Sequence, residues 1–229
     1  MKRSEINTII KEARDFFAMQ KFFLPEWVSW GLSNWKGSYE KCSEIIDNKL
    51  GWDITDFGGE DFARRGLILF TIRNGNWKKK DKMYCEKIMI AGENQETPLH
   101  FHWNKTEDII NRGGGNLIIE LFQATDDAGI SDKPVEVKID GVKYIVKAGE
   151  PFILYAGQSI CLTPGIYHRF YGQEGKGNVL IGEVSSVNDD EHDNRFYGEV
   201  GRFPAIEEDC PPTHLLVSDY EKYIQQPDK

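Results

Sequence analysis

Between Arg65 and Val187, short apolar runs alternate with turn residues, and this pattern constrains the fold more than any other feature of the sequence. The runs are rich in Ile, Val, Leu, Phe and Tyr, and Gly, Asn, Asp or Pro interrupts them about every ten residues. No helical pattern separates the runs. Eight or more strands in such a succession are typical of an antiparallel β-barrel or β-sandwich, so we expect a mainly β, jelly-roll-like barrel.

The sharpest local signal in this region is a two-residue turn. Asp140 and Gly141 separate two runs of alternating character, VEVKI and VKYIV. Both central residues of a type I′ turn need positive φ, which Asp-Gly tolerates well. The sequence therefore predicts a β-hairpin here.

The flanks of the strand-rich region have a different texture. Apolar residues recur at helical intervals from Ser4 to about Gln20, with Ser4 as the expected N-cap. Three tryptophans follow in an irregular stretch, Trp27, Trp30 and Trp35, which serve as a cover for the barrel or as an interface. We expect one domain with a helical and irregular N-terminal arm, a barrel core and a polar C-terminal segment that covers the barrel, at residues 1–63, 64–187 and 188–229.

Composition excludes several classes of partner. The 229 residues include 28 basic and 37 acidic side chains, a net charge of −9, so no nucleic acid is expected as a partner. No stretch approaches the 18 or so apolar residues that a membrane span needs. The four cysteines are far apart and form no paired motif, which favours reduced thiols and a cytoplasmic location.

Three histidines and one glutamate in the strand-rich region suggest a metal site. A spacing of two places the imidazoles of His100 and His102 on the same face of a strand. Glu107 is expected to return beside them on the adjacent antiparallel strand, and His168 follows the Pro164-Gly165 turn in a later strand. Three imidazoles and a carboxylate are a ligand set for a divalent transition ion with open positions for substrate.

Two segments around these ligands resemble the two cupin motifs. The first motif is matched in spacing by Gly92, His100, His102, Glu107 and Gly113. The second is matched by Gly157, Pro164, Gly165 and His168. The second match departs from the usual pattern, because Pro164 and Gly165 are adjacent and Gly172 stands where Asn is common, but the histidine keeps its place.

Within the cupins, the chain resembles the bacterial D-lyxose isomerases over nearly its whole length. The resemblance is carried by HFHWNKTEDIINRGGGNLIIELF at 100–122, AGQSICLTPGIYHRFY at 156–171 and GEVSSVNDDEHDNRFYGEVGRFPAIEED at 182–209. It implies a homodimeric, Mn²⁺-dependent aldose–ketose isomerase, although other divalent transition metals are compatible with the ligands. The implied substrates are D-lyxose and D-xylulose, with D-mannose and D-fructose as a second pair.

Isomerisation of this kind moves a hydrogen between C1 and C2 of the open-chain sugar, which a metal chelating the sugar oxygens and a nearby base can assist. Glu107 is a candidate base, but a carboxylate that binds a cation is weakened in that role. Lys105 lies in the turn between the ligand strands, and Glu183 is a charge on the apolar strand LIGEVSSV. We therefore predict catalytic roles for Lys105, Glu107 and Glu183.

Sugar hydroxyls need further polar partners. We predict Lys105, Glu183, Asp193 and Arg195 as substrate-binding residues, with a surface ion pair as the alternative for the last two. His192 has no partner at metal spacing and is not predicted as a ligand. The parity of its strand turns Trp103 away from the cavity, as a core residue or an interface residue.

Two other functions are compatible with the ligand set. An Fe(II)-dependent cupin dioxygenase uses the same geometry, and a non-catalytic cupin could bind a sugar without turnover. The polar C-terminal segment suits a polyhydroxylated substrate and favours the isomerase. We expect an enediol intermediate, although a hydride shift between C1 and C2 is the alternative mechanism.

Overall fold

The computed structural model describes residues 1–79, 82–189, 192–201 and 204–224. Its helices are α1 (Arg3–Met19), α2 (Leu32–Trp35), α3 (Tyr39–Asp47) and α4 (Tyr220–Tyr223), with 3₁₀ turns at Glu26–Ser29 and Val217–Asp219. The strands are β1 (Gly51–Thr55), β2 (Leu67–Asn74), β3 (Tyr84–Ala91), β4 (His100–His102), β5 (Glu107–Gly114), β6 (Leu117–Ala124), β7 (Ile130–Ser131), β8 (Val135–Ile139), β9 (Val142–Val146), β10 (Phe152–Leu154), β11 (Ser159–Leu162), β12 (Ile166–Gly172), β13 (Val179–Ser186) and β14 (Asn194–Phe196). None of the described helices combines the length and the apolar character that crossing a membrane requires.

The strands form two antiparallel sheets. The larger sheet has the order β1-β2-β3-β13-β5-β11-β8-β9, and the smaller has the order β10-β6-β12-β4-β14, with β7 beside β6. Apolar side chains from both sheets meet in one buried cluster, for example Met89, Ile109 and Ile181 from the larger sheet and Ile119 and Phe170 from the smaller. The mainly β architecture with an N-terminal helix is therefore confirmed.

Helix α1 packs on the outer face of the larger sheet. Its buried residues Ile6, Ile10, Ala13 and Phe17 recur at helical spacing and lie against Trp52 and other side chains of β1, β2 and β3. The predicted N-cap is wrong by two residues: Lys2 occupies that position, and its N–H donates to Glu5 Oε2 at 2.7 Å. Ser4 instead donates from Oγ to Asp209 Oδ2, which ties the helix to the C-terminal segment.

The predicted hairpin is confirmed residue by residue. β8 ends directly before Asp140, and β9 begins directly after Gly141. The φ values of Asp140 and Gly141 are 50° and 80°. Both residues thus have the positive φ that a type I′ turn requires.

Two features of the flanks and one of the barrel core add to or differ from the prediction. The N-terminal arm contains β1, which extends the larger sheet by pairing with β2. The polar C-terminal segment contains β14, which pairs with β4 in the smaller sheet. Trp103 points away from the cavity as its parity predicts, but it is 51% exposed and is not a core residue.

The tryptophans of the arm pack against the C-terminal segment. Trp35 is buried in a third apolar cluster with Leu215, Tyr220 and Ile224 of the C-terminal segment, and Trp27 and Trp30 pack at its edge. This packing accounts for the burial of Trp35, and the choice between a barrel cover and an interface for the three tryptophans stays a prediction.

Candidate metal centre and active site

The three histidines of the predicted site meet on the inner face of the smaller sheet. His100 and His102 are the alternate residues of β4, and His168 on β12 is the direct cross-strand partner of His100. Each of the three can place one ring nitrogen within 4.8 Å of the others. The spacing of two in HFH and the antiparallel register therefore bring all three imidazoles to one point.

Glu107 reaches the same point from the other sheet. The prediction that its strand lies next to the histidine strand is wrong, because β5 pairs with β11 and β13 in the larger sheet. Its Oε1 nevertheless lies 3.2 Å from His102 Nε2 and 3.0 Å from His168 Nε2. The ligand set thus bridges the two sheets instead of two neighbouring strands.

The turn from Trp103 to Thr106 crosses between the sheets, and Asp193 holds it in place. Asp193 Oδ1 accepts hydrogen bonds from Asn104 N at 2.7 Å and from Asn104 Nδ2 at 2.9 Å, while Oδ2 accepts from Lys105 N at 3.0 Å. Oδ2 also lies 3.9 Å from His102 Nδ1. Asp193 is buried, its oxygens bind this turn, and it is not among the residues that line the cavity. Its predicted role in substrate binding stays a prediction.

Hydrogen bonds to backbone carbonyls orient two of the imidazole rings. His100 Nδ1 donates to Pro98 O at 2.9 Å and His168 Nδ1 to Ile166 O at 3.1 Å, which leaves each Nε2 as an acceptor. Burial lowers the pKa of His100 well below its ordinary value, and the neighbouring imidazoles lower it further. Burial and the Lys105 charge also lower the pKa of His102.

The donor atoms themselves indicate that a cation fits here. His102 Nε2 and Glu107 Oε1 are fully buried and have no hydrogen-bond partner of good geometry. Unsatisfied buried acceptors cost free energy unless something binds them. Bonds of about 2.1 Å from imidazole and carboxylate donors to a divalent transition ion would satisfy both.

Lys105 lies between two carboxylates. Its Nζ is 2.8 Å from Glu107 Oε2 and donates to Glu183 Oε1 at 2.9 Å, and all three residues are buried. Burial by itself would lower the pKa of Lys105, but the two carboxylates outweigh burial and raise it above its ordinary value. Burial is the largest single influence on both carboxylates and would raise their pKa values. The Lys105 charge and the histidines together lower the pKa of Glu107, and the charges of Lys105 and Lys87 together lower that of Glu183.

Arg195 is not brought to the site. It is the middle residue of β14 and its side chain is exposed, with Nη1 donating to Phe196 O. Its neighbours on the strand, Asn194 and Phe196, have the opposite parity and line the cavity beside the histidines. Strand alternation, applied to NRF, would have given this assignment, but no sequence signal marked NRF as a strand.

Other cavity residues were missed by the sequence analysis. Lys87 on β3 and Asp53 and Thr55 on β1 contribute polar groups to the cavity walls, and Phe57 and Thr97 line it from the loops. Lys87 was detectable by the argument that identified Glu183, since both are charges within apolar strands. Asp53 and Thr55 could not be detected in this way, because the sequence pattern of their segment did not indicate a strand.

Comparison with known proteins agrees with this geometry. Residues 1–220 match the sequence model of the D-lyxose isomerase family. The chain is 50% identical over 227 residues to a D-lyxose/D-mannose isomerase of Serratia proteamaculans, covering 98% of this chain and 100% of that one. It is 47% identical over 226 residues to a D-lyxose/D-mannose isomerase of Escherichia coli O157:H7, covering 97% and 100%.

A solved structure of similar fold is the L-ribose isomerase of Cellulomonas parahominis. The TM-score is 0.60 at 17% identity, and the match covers 90% of this chain and 98% of that one. Fold, site and comparisons together define an aldose–ketose isomerase built on two packed antiparallel β-sheets. The chain belongs to the D-lyxose isomerase family.

Proposed function

We propose that this isomerase interconverts D-lyxose and D-xylulose, and D-mannose and D-fructose as a second pair, with Mn²⁺ as its resident ion. The names of the two relatives near 50% identity support these substrates. The observation that carries the proposal is the buried Glu107–Lys105–Glu183 chain beside the three-histidine cluster, in a single cavity.

The residues that would hold the ion are His100, His102, Glu107 and His168. A divalent ion bound there supplies Lewis acidity toward the oxygens at C1 and C2 of the open-chain sugar. Because Glu107 would be committed to the ion, we turn to Glu183, the cavity carboxylate that shares Lys105 with Glu107.

We assign proton transfer at carbon to Glu183. In the aldose-to-ketose direction its carboxylate accepts the proton from C2 and returns it to C1, while the hydroxyl proton at O2 passes to O1. The lowered pKa of Glu183 keeps this carboxylate ionised at neutral pH. Lys105 stays protonated and donates hydrogen bonds to the sugar oxygens as their charge changes.

The test is incubation of chelator-treated protein with D-lyxose in D₂O without oxygen, with and without Mn²⁺. We expect Mn²⁺-dependent formation of D-xylulose with deuterium at C1, since Glu183 can exchange its proton with solvent. Ketose without deuterium would point to a hydride shift instead of the enediol. No ketose from either D-lyxose or D-mannose in the presence of Mn²⁺ would contradict the proposal, and oxygen consumption would indicate the dioxygenase.

The homodimer and the cytoplasmic location stay predictions. Sedimentation analysis of the purified protein tests the first, and cell fractionation tests the second.

A further inference from the structure

A second buried lysine, Lys87, also contacts Glu183. Lys87 is 5% exposed and lines the cavity from the middle of β3, and it is the direct cross-strand partner of Glu183 on β13. Its Nζ is 3.3 Å from Glu183 Oε1 and 3.4 Å from Oε2, and it donates to Asn188 Oδ1 at 2.7 Å. Burying an ammonium group costs free energy, so we expect the Lys87 side chain to have a function in this cavity.

The contacts of Glu183 indicate the function of Lys87. Lys105 approaches Glu183 from one side, but Lys105 is shared with Glu107, which the proposed ion also engages. Ser185 Oγ donates to Glu183 Oε1 at 3.1 Å. Lys87 brings a second ammonium group to the same carboxylate, and it also contacts Asn188, which is not a proposed metal ligand.

We propose that Lys87 is a positioning residue that, together with Lys105, holds the Glu183 carboxylate at the reacting carbons. This inference rests on the proposed function, in which Glu183 moves the proton between C2 and C1. Asn188 orients the Lys87 ammonium, and its Oδ1 also lies 3.4 Å from Lys105 Nζ, so one amide aligns both lysines. A base displaced by about 1 Å loses on the order of a hundredfold in rate.

The test is a double-mutant cycle on the full-length Mn²⁺ protein. We expect Lys87→Met to lower kcat on D-lyxose about 10- to 100-fold with KM changed less than about twofold, and Lys87→Arg to recover part of the loss. With sugar deuterated at C2, the isotope effect on kcat rises in Lys87→Met because proton removal becomes more limiting. Lys143→Met is the matched control, since Lys143 is exposed on β9 and pairs with Glu136.

The decisive comparison uses Glu183→Gln. If Lys87 acts through Glu183, adding Lys87→Met to Glu183→Gln lowers kcat by less than about twofold further. Fully multiplicative losses, or an unchanged kcat in Lys87→Met, would overturn the inference. Should Lys87→Met fail to fold, Lys87→Gln removes the charge while retaining a polar group toward Asn188 and gives the same comparison.

The cycle also separates this inference from the proposed function. If Glu183→Gln keeps wild-type kcat, the assignment of Glu183 is wrong and the positioning role falls with it. If Glu183→Gln is impaired and Lys87→Met is not, the inference about Lys87 alone is wrong.

Discussion

His168 and His102 show how little freedom the site residues have. Each imidazole is almost completely buried, and each lies about 3 Å from the same Glu107 oxygen. Because each imidazole is buried, few neighbouring side chains could supply another donor atom if the imidazole were removed. The residues of the site are therefore best distinguished by whether their loss removes the ion or only the chemistry.

We expect His168→Ala and His102→Ala to lose metal and activity together, because each removes one of four proposed ligands. Metal content by mass spectrometry and kcat on D-lyxose provide the check. His192→Ala is the control, since His192 is exposed beside Asp189 and should retain both. Full metal content in either ligand variant would contradict the site assignment.

We expect Lys105→Met to separate metal binding from catalytic activity. The ammonium contacts Glu107 and Glu183 but is no metal ligand, so the variant should bind Mn²⁺ and lose about 10²- to 10⁴-fold in kcat. The same mass-spectrometric and kinetic measurements apply. A kcat near that of the wild type would show that Lys105 has no part in the reaction.

At the scale of elements, the β8–β9 hairpin depends on backbone geometry more than on contacts. Gly141 has φ +80° and a Cβ built on it meets no atom within 4 Å. A side chain there is therefore opposed by the left-handed backbone alone, which costs about 1–2 kcal/mol for a residue with a Cβ.

We expect Gly141→Ala to lower the free energy of unfolding by about 1 kcal/mol and to leave kcat unchanged, because the turn does not line the cavity. Urea denaturation measures the first quantity. Gly31→Ala is the matched control, since Gly31 has an ordinary φ and its Cβ would make a normal contact at 3.6 Å. Equal effects of the two substitutions would argue against the type I′ turn.

At the scale of the whole molecule, Arg3 joins the two ends of the chain. Its guanidinium is fully buried and donates to both Asp219 oxygens at 2.8 Å, and to Glu208 at 2.8 and 2.9 Å. Removing one partner of a buried ion pair leaves the other charge uncompensated and costs about 3–5 kcal/mol. We expect a loss of this size for Arg3→Met in urea denaturation.

The contact between Arg3 and Glu208 predicts that the free energy of unfolding depends on pH. Hydrogen bonds from Arg3 lower the pKa of Glu208 from its ordinary 4.5 to about 2. A lowered carboxylate pKa stabilises the fold above pH 4.5, and that contribution is lost as pH falls toward 2. The stability difference between wild type and Arg3→Met should therefore shrink over this interval, whereas Lys11→Met, which breaks an exposed pair with Asp15, should change little at any pH.

The site shows where sequence reasoning succeeded and where it ended. The ligand types and their parity were predictable, because the spacing of HFH and the Pro164-Gly165 turn are local signals. The sheet that carries Glu107 was not, since a four-residue turn can close a hairpin or cross between sheets. Asp193 was predicted as a sugar ligand from its polar run, and only the structure shows its contacts with Asn104 and Lys105.

By itself, the sequence determined the strand-rich core, the Asp140-Gly141 hairpin and the residue types of the candidate metal centre, because periodicity, turn chemistry and ligand spacing act over a few residues. The tertiary structure decided that β1 and β14 join the sheets, that the ligands bridge the two sheets, and that Lys87 meets Glu183. These features depend on pairing between strands up to about a hundred residues apart. Such pairing is set by packing of the whole core, and no short stretch of sequence encodes it.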